Sequence, residues 1–382
     1  MNEDNVSDIE SPLHAEHLAL GAALTSFAGW QMPLRYTSDI AEHVAVRTAA
    51  GLFDLSHMGE IRISGPDAAA FLDYALVGNL SALRFQGARY TMICQEDGGV
   101  VDDLIVYRDR EDAYLVVANA SNHEVVLDAL RQRTEGFDVT VEDRSPQTAL
   151  IAVQGPNALD IVRSTQGLDE TGGDIGESKY YACLPATFAG EPVLVARTGY
   201  TGEDGFEFFL DAALAPALWR AFLAAGADKG LVPAGLSARD SLRLEAGMPL
   251  YGNELDRATT PHDAGLGRVV KLDKSTADGA PLPFVGRAAL EARDAAEPTK
   301  TLVGLQGLGR RAARHGYPVT TPDGQEVGVV TSGAPSPTLG HPVAMAYVTP
   351  DVSAVGTDLA VDVRGRLEPV RVVPLPFYRR AR

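Results

Sequence analysis

At 382 residues, 45% of them hydrophobic, the chain is long enough for two or three domains with sizeable cores. A formal net charge of −18 excludes general binding to nucleic acid or to an anionic membrane surface. Thirty-eight glycines and 23 prolines supply many turns and favour a strand-rich α+β protein over a helical bundle. The two cysteines, Cys94 and Cys183, stand far apart in apolar or aromatic surroundings, which suits buried free thiols. No apolar run reaches the roughly 20 residues that span a bilayer. The acidic, polar N-terminus differs from secretory and transit signals, so a cytoplasmic location is expected.

In chain order, residues 1–10 read as a disordered tail. Asp39 and Glu42 form a capping-box pattern that opens a helix through Arg47. A strand and turn at 61–66 precede an Ala/Leu-rich helix at 67–76. Strands follow at 89–94, 100–107 and 113–118, then a helix at 121–133. A strand from 150 ends at Gly155-Pro156, with further strands at 192–197 and 206–210 and helices at 213–228 and 238–246. A composition break at 273–300 leads into a β-and-turn pattern with strands at 302–305, 325–331, 343–348 and 370–373.

Four places carry unusual chemistry. In the segment 96–107, Asp97-Gly98 signals a tight turn and Val100 to Tyr107 a strand. Asp102 and Asp103 open that strand and point to opposite faces, so only one can enter a pocket beside Ile105 and Tyr107; the other faces solvent or a cap. Glu207 lies among Phe206, Phe208 and Phe209, either on an outward face or in a site. Gly199, Gly202 and Gly205 match neither nucleotide-binding glycine spacing. Arg239 sits in the first turn of a helix announced by Ser237 and Asp240, where the dipole disfavours a cation; Asp240 neutralises it or an anionic ligand meets it. The eight histidines form no metal-binding pattern.

Six segments in one order carry a family resemblance. They are Phe27-Ala-Gly-Trp-Gln-Met-Pro-Leu-Arg-Tyr36, Gly51-Leu-Phe-Asp-Leu-Ser-His-Met-Gly59, and the 96–107 segment. Arg197-Thr-Gly-Tyr-Thr-Gly-Glu-Asp-Gly-Phe-Glu207, Pro233-Ala-Gly-Leu-Ser-Ala-Arg-Asp-Ser-Leu-Arg-Leu-Glu-Ala246 and Pro376-Phe-Tyr-Arg379 complete them. Together they resemble the T-protein of the glycine cleavage system, a tetrahydrofolate-dependent aminomethyltransferase, over residues 11–379.

The resemblance implies three α+β and β domains around a central hole. Residues 1–57, 149–183 and 236–283 would form the first, and 58–148 with 184–235 the second, carrying Asp103. Residues 284–382 would form a C-terminal β-barrel or jelly roll. It implies a catalytic Asp103 with Asp102 outside the site, and Glu207 on the pterin. Tyr90, Tyr180 and Tyr200 become folate contacts, with Arg239 and Arg379 as substrate contacts. His57 falls in a matched segment, with a structural hydrogen-bonding role expected. Asp263 stands where the family reads Glu in Pro-x-Glu-Ala-Gly, which puts a ligand role there in doubt. Tetrahydrofolate is the implied acceptor and the lipoyl carrier protein (H-protein) the implied partner, with no metal and no nucleotide. A folate-dependent demethylase and a non-catalytic folate-binding accessory protein are the alternatives on this scaffold.

Overall fold

The computed structural model describes residues 8–276 and 279–380. Residues 1–7 of the expected disordered tail lie outside them. The end of that tail belongs to the fold: Ile9–Glu10 pairs in parallel with Trp30–Arg35, which forms a hairpin with Ala23–Phe27. That hairpin turns at Ala28 and Gly29, both at positive φ (51° and 79°), as the twist of a two-residue turn requires.

Two larger sheets build the body. One is antiparallel throughout, in the order Gly87–Cys94, Val100–Arg108, Ala113–Ala118, Gly59–Ser64, Thr140–Asp143. The other has seven strands: Leu168–Glu170, Cys183–Phe188, Glu191–Ala196, Gly205–Asp211, Thr148–Gln154, Ala50–Asp54 and Leu231–Pro233. Only its last pairing, with Ala50–Asp54, is parallel. The C-terminal strands Thr301–Gly307, Pro342–Val348, Glu326–Pro335, Pro318–Thr320, Asp358–Asp362 and Leu367–Val373 close into a barrel, which leaves no open edge. The expected α+β class with antiparallel sheets and a C-terminal barrel is therefore what the chain adopts.

The sheets stack face to face. Ala88, Tyr107, Leu115 and Val117 of the five-stranded sheet meet Leu150, Ala152, Ala196 and Phe209 of the seven-stranded one. Helices cover the outer faces. Leu218, Trp219 and Phe222 of Ala215–Gly226 pack on Ile151, Val153, Phe206 and Phe208. Phe71 and Leu72 of Ala68–Ala75, with Val126 and Leu130 of His123–Gln132, pack on Ile61, Ile63 and Val106.

The strands of residues 184–235 belong to the seven-stranded sheet, where they pair with Thr148–Gln154 and Ala50–Asp54. The reason is apolar surface on both faces: Phe206, Phe208 and Leu210 enter the helix-covered core, while Phe209 and Leu194 face the sheet interface. Two helix starts differ from those expected. Asp39–Thr48 is capped by Ser38, whose hydroxyl accepts from Ala41, while Glu42 accepts the N–H groups of Tyr36, Thr37 and Gly235. Leu236–Glu245 begins after Gly235, so Ser237 does not cap it. Cys94 and Cys183 are buried free thiols. Among the described residues no helix is long and apolar enough to cross a membrane.

Candidate active site

Asp102 and Asp103 sit on opposite faces of Val100–Arg108, as alternation demands, but neither faces solvent. Asp102 is fully buried. Its Oδ2 accepts the backbone N–H of Asn119 at 2.9 Å, and its Oδ1 accepts the side-chain amides of Asn119 and Asn122, each at 2.8 Å. It thus caps the loop ahead of the helix His123–Gln132. Asp103 is half-buried on the face that carries Ile105 and Tyr107. Its Oδ2 accepts the Tyr90 hydroxyl at 3.0 Å and its Oδ1 the Asn119 amide at 2.8 Å. Burial raises the carboxyl of Asp103, and the Tyr90 and Asn119 donors oppose that rise.

Glu207 projects from Gly205–Asp211 opposite to Phe206 and Phe208, but the face it enters is covered by the other sheet. It is therefore buried rather than solvated. Tyr107 donates to its Oε2 at 3.2 Å, and Thr198 donates to the same oxygen. Its Oε1 makes no hydrogen bond among the described residues. Burial raises this carboxyl; the Thr198 bond and the nearby Arg239 charge counteract it.

Arg239 lies half-buried over the Tyr200 ring, 4.8 Å from its centroid. Its side chain forms no ion pair or hydrogen bond among the described residues. Asp240 does not neutralise it, being engaged with Arg243 at 2.8 Å. Tyr200 is fixed by a hydrogen bond from its hydroxyl to the Pro249 carbonyl. His57 is buried, held neutral by burial and then by the Arg239 charge, which push its imidazole down to about 4. Among the described residues its Nδ1 has no hydrogen-bond partner, so the structural hydrogen bond expected of it is not made at that atom. Phe27, at the tip of the first hairpin, meets the His57 ring edge-on at 5.5 Å.

The remaining expected residues lie further out. Tyr180 is 41% exposed and donates to the Gly199 carbonyl at 3.3 Å. Arg379 is exposed and unpaired among the described residues; its neighbour Tyr378 is anchored to the Glu245 carbonyl and Arg380 to Asp204.

Two regions of the sequence match family models: the GCVT N-terminal domain over 13–274, and the glycine cleavage T-protein C-terminal barrel domain over 300–379. The chain belongs to the glycine cleavage T-protein family. It is 60% identical to an aminomethyltransferase of Saccharopolyspora erythraea over 371 residues, covering 97% of this chain and 98% of the relative. An aminomethyltransferase of Streptomyces avermitilis is 60% identical over 372 residues, covering 96% of this chain and 97% of that one. The crystal structure of glycine cleavage system aminomethyltransferase T from Bartonella henselae superposes with a TM-score of 0.86 at 36% identity, covering 97% and 98% of the two chains. The activity is aminomethyl transfer.

Four further T-protein side chains border the site, and two of them, Asn119 and Tyr181, carry no local signal in the sequence. Tyr107 and Thr198 hold Glu207, Asn119 holds Asp103, and Tyr181 is near enough to both carboxylates to feel their charge. Burial, then Glu207 and Asp103, push the Tyr181 phenol up to about 12. Its backbone is left-handed (φ 64°), with the carbonyl accepting from Ala88 and the N–H donating to Arg197. Asp263 has a structural explanation. Its Oδ2 accepts from the backbone and hydroxyl of Thr260, and its Oδ1 pairs with Arg293 at 2.8 Å. Among the described residues no His/Cys/Asp/Glu group could hold a metal ion.

Proposed function

We propose that tetrahydrofolate lies along the face shared by Asp103 and Glu207, pterin toward Glu207 and reacting nitrogens toward Asp103. The spacing of the two carboxylates carries this reading. Tyr107, bound to Glu207, is four residues along the same strand from Asp103, so the backbone positions that carry the two ends are roughly 13 Å apart. An elongated ring system with polar edges at both ends suits such a span.

Each end offers matching chemistry. The spare Oε1 of Glu207 can accept from the adjacent N–H and exocyclic amine of a pterin, a charge-assisted pair that fixes orientation. Arg239, unpaired and stacked on Tyr200, keeps its guanidinium donors for a carbonyl or carboxylate of the ligand. Tyr90, Tyr180 and Tyr200 offer flat aromatic surfaces, and Arg379 a solvent-side cation.

The donor in this reading is an aminomethyl group on the sulfur of a lipoyl carrier protein, and the setting is the cytoplasm. The methylene carbon exchanges its bonds to sulfur and to the amine for bonds to two folate nitrogens. The two protons those nitrogens release leave with ammonia and with the freed thiol. Asp103 takes part as proton acceptor and as the negative charge that steadies the cationic carbon. The test supplies an aminomethylated lipoyl carrier and tetrahydrofolate, and measures ammonia and methylene-tetrahydrofolate. Equal amounts of both are expected. Ammonia release that proceeds equally without folate would overturn the assignment of the acceptor.

A further inference from the structure

Asp102 and Asp103 leave the strand in opposite directions, yet one amide nitrogen touches both. Asn119 Nδ2 donates to Asp102 Oδ1 and to Asp103 Oδ1, each at 2.8 Å. The same nitrogen lies 3.2 Å from the Asp103 backbone carbonyl, but a primary amide has two hydrogens and its two shorter contacts are to the carboxylates. The opposite orientation of the amide would bring its carbonyl oxygen against two anionic oxygens, leaving both acceptors and the oxygen itself unmatched. Only one amide orientation is therefore compatible with these neighbours. Asp102 is anchored independently of it, by the Asn119 backbone N–H at 2.9 Å and by Asn122 at 2.8 Å.

We infer that Asp102 is a positioning residue for the transfer reaction: it orients Asn119, and Asn119 in turn holds Asp103 in its reacting geometry. This rests on the reading that Asp103 is the reacting carboxylate. With Tyr90 on Oδ2 and Asn119 on Oδ1, Asp103 has one donor per oxygen and its carboxylate plane is fixed. Replacing Asp102 by Asn faces three donors with a single acceptor oxygen and a new NH2 group. Asn119 then loses its anchor, and Asp103 loses a donor that favours its charged form. The other titratable groups facing Asp103 are Tyr90, Tyr181, Tyr200 and Glu254, and none of them contacts Asn119.

Asn122 separates this role from loop anchoring, because it donates to Asp102 without touching Asp103. The experiment compares Asp102→Asn, Asn119→Ala, Asn122→Ala, Asp103→Asn and the double Asp102→Asn/Asn119→Ala. Readouts are kcat, the tetrahydrofolate Kd, the pH–rate profile, and a carboxyl carbon NMR titration of Asp103 in the free protein. Asp102→Asn and Asn119→Ala should each lower kcat about 10-fold. Asn119→Ala should move the Asp103 titration and the acid limb up by about one pH unit, whereas in Asp102→Asn the loss of the neighbouring negative charge opposes that rise and the shift is smaller. The double variant should match Asn119→Ala alone in kcat, because the two residues act in series. Asn122→Ala should lower stability and leave the Asp103 titration where it was. If Asp102→Asn does not fold, Asn119→Ala against Asn122→Ala carries the comparison. Unchanged kcat in Asp102→Asn, or an Asp103 titration that Asn119→Ala leaves unmoved or that Asn122→Ala moves equally, overturns the inference. Full activity in Asp103→Asn overturns instead the role of Asp103 on which it rests.

Discussion

Tyr107 donates to Glu207 across the boundary between two sheets, at 3.2 Å. The phenol comes from the strand that bears Asp103 and the carboxylate from a strand of the other sheet. The relative placement of Asp103 and Glu207 therefore depends on how the sheets stack, through the Tyr107–Phe209 contact and the apolar layer around it. Tyr107→Phe would keep that packing and remove the ties to Glu207 and to the Thr198 hydroxyl.

Glu207→Gln should weaken tetrahydrofolate binding by about 1.5–3 kcal/mol, because it removes the charge and sets an NH2 group where Oε1 would accept from the pterin. Gln keeps the oxygen that Tyr107 and Thr198 need, so thermal stability should change little. Calorimetric titration that finds unaltered affinity would remove Glu207 from the pterin site.

The same carboxyl gives binding a pH dependence. Burial holds Glu207 above its ordinary 4.5 in the free protein. Donors from a bound pterin favour the charged form, so the bound value is lower than the free one. Ligand binding should then release a proton between those two values, and affinity should fall as pH drops through the free value. Calorimetry in buffers of different ionisation enthalpy reads this directly. An affinity that stays flat from neutrality down to 4.5, in the wild type, contradicts it.

Asp103→Asn should retain fold and folate affinity while turnover falls about 10²-fold or more. The amide can turn its oxygen to Asn119 and donate to Tyr90, so both local contacts survive. Single-turnover measurements with saturating folate should locate the loss in the transfer step. A loss that appears only in folate affinity would reassign Asp103 to binding.

The arginines separate by depth. Arg239 is near enough to Glu207 and His57 for its charge to act on both, whereas Arg379 is exposed on the C-terminal tail. Arg239→Ala should weaken intact tetrahydrofolate and a truncated pterin alike, by about 1–3 kcal/mol. Arg379→Ala should weaken only the glutamate-bearing ligand, by about 1 kcal/mol, and salt should erase the difference. A truncated pterin indifferent to Arg239→Ala would place that arginine on the acidic tail instead.

Alternation along one strand is enough to separate Asp102 from Asp103 and to set Glu207 opposite Phe206 and Phe208. It does not say what covers each face. A period of two assigns sides, and whether a side meets water or another sheet depends on residues far away. Asp102 and Glu207 are both buried for that reason. The same limit hides Asn119 and Tyr181, which reach the site from other segments. Ser237 and Asp240 show the converse failure: the local pattern reads as a cap, yet Gly235 starts the helix and Asp240 turns to Arg243. Ala158–Ser164, seven residues long, is too short for a helical period to stand out.

Glu245, the last residue of the helix that carries Arg239, should act as the acid-sensitive fastening of the barrel. Its Oε2 accepts from Arg47 at 2.9 Å, His43 at 3.1 Å and the Thr338 hydroxyl at 2.7 Å. Its Oε1 accepts from the Thr338 backbone and the Ser336 hydroxyl, and both of those residues belong to the barrel side. Burial opposes its charge, but the His43 and Ser336 bonds prevail and hold the carboxyl down to about 2. A folded value below the ordinary 4.5 means the stabilisation is complete above that pH and is lost as pH falls toward 2. Thermal unfolding of the wild type should therefore steepen in pH over this interval. Glu245→Gln should cost about 3 kcal/mol near neutrality, since it removes one of the two buried carboxylates on Arg47, leaving Glu203 alone, and replaces an acceptor of the Thr338 and Ser336 groups with an NH2 group. It should also flatten the acid dependence, so that the two proteins converge as pH approaches 2. Parallel curves for wild type and variant across that range would show that the barrel is held by other contacts.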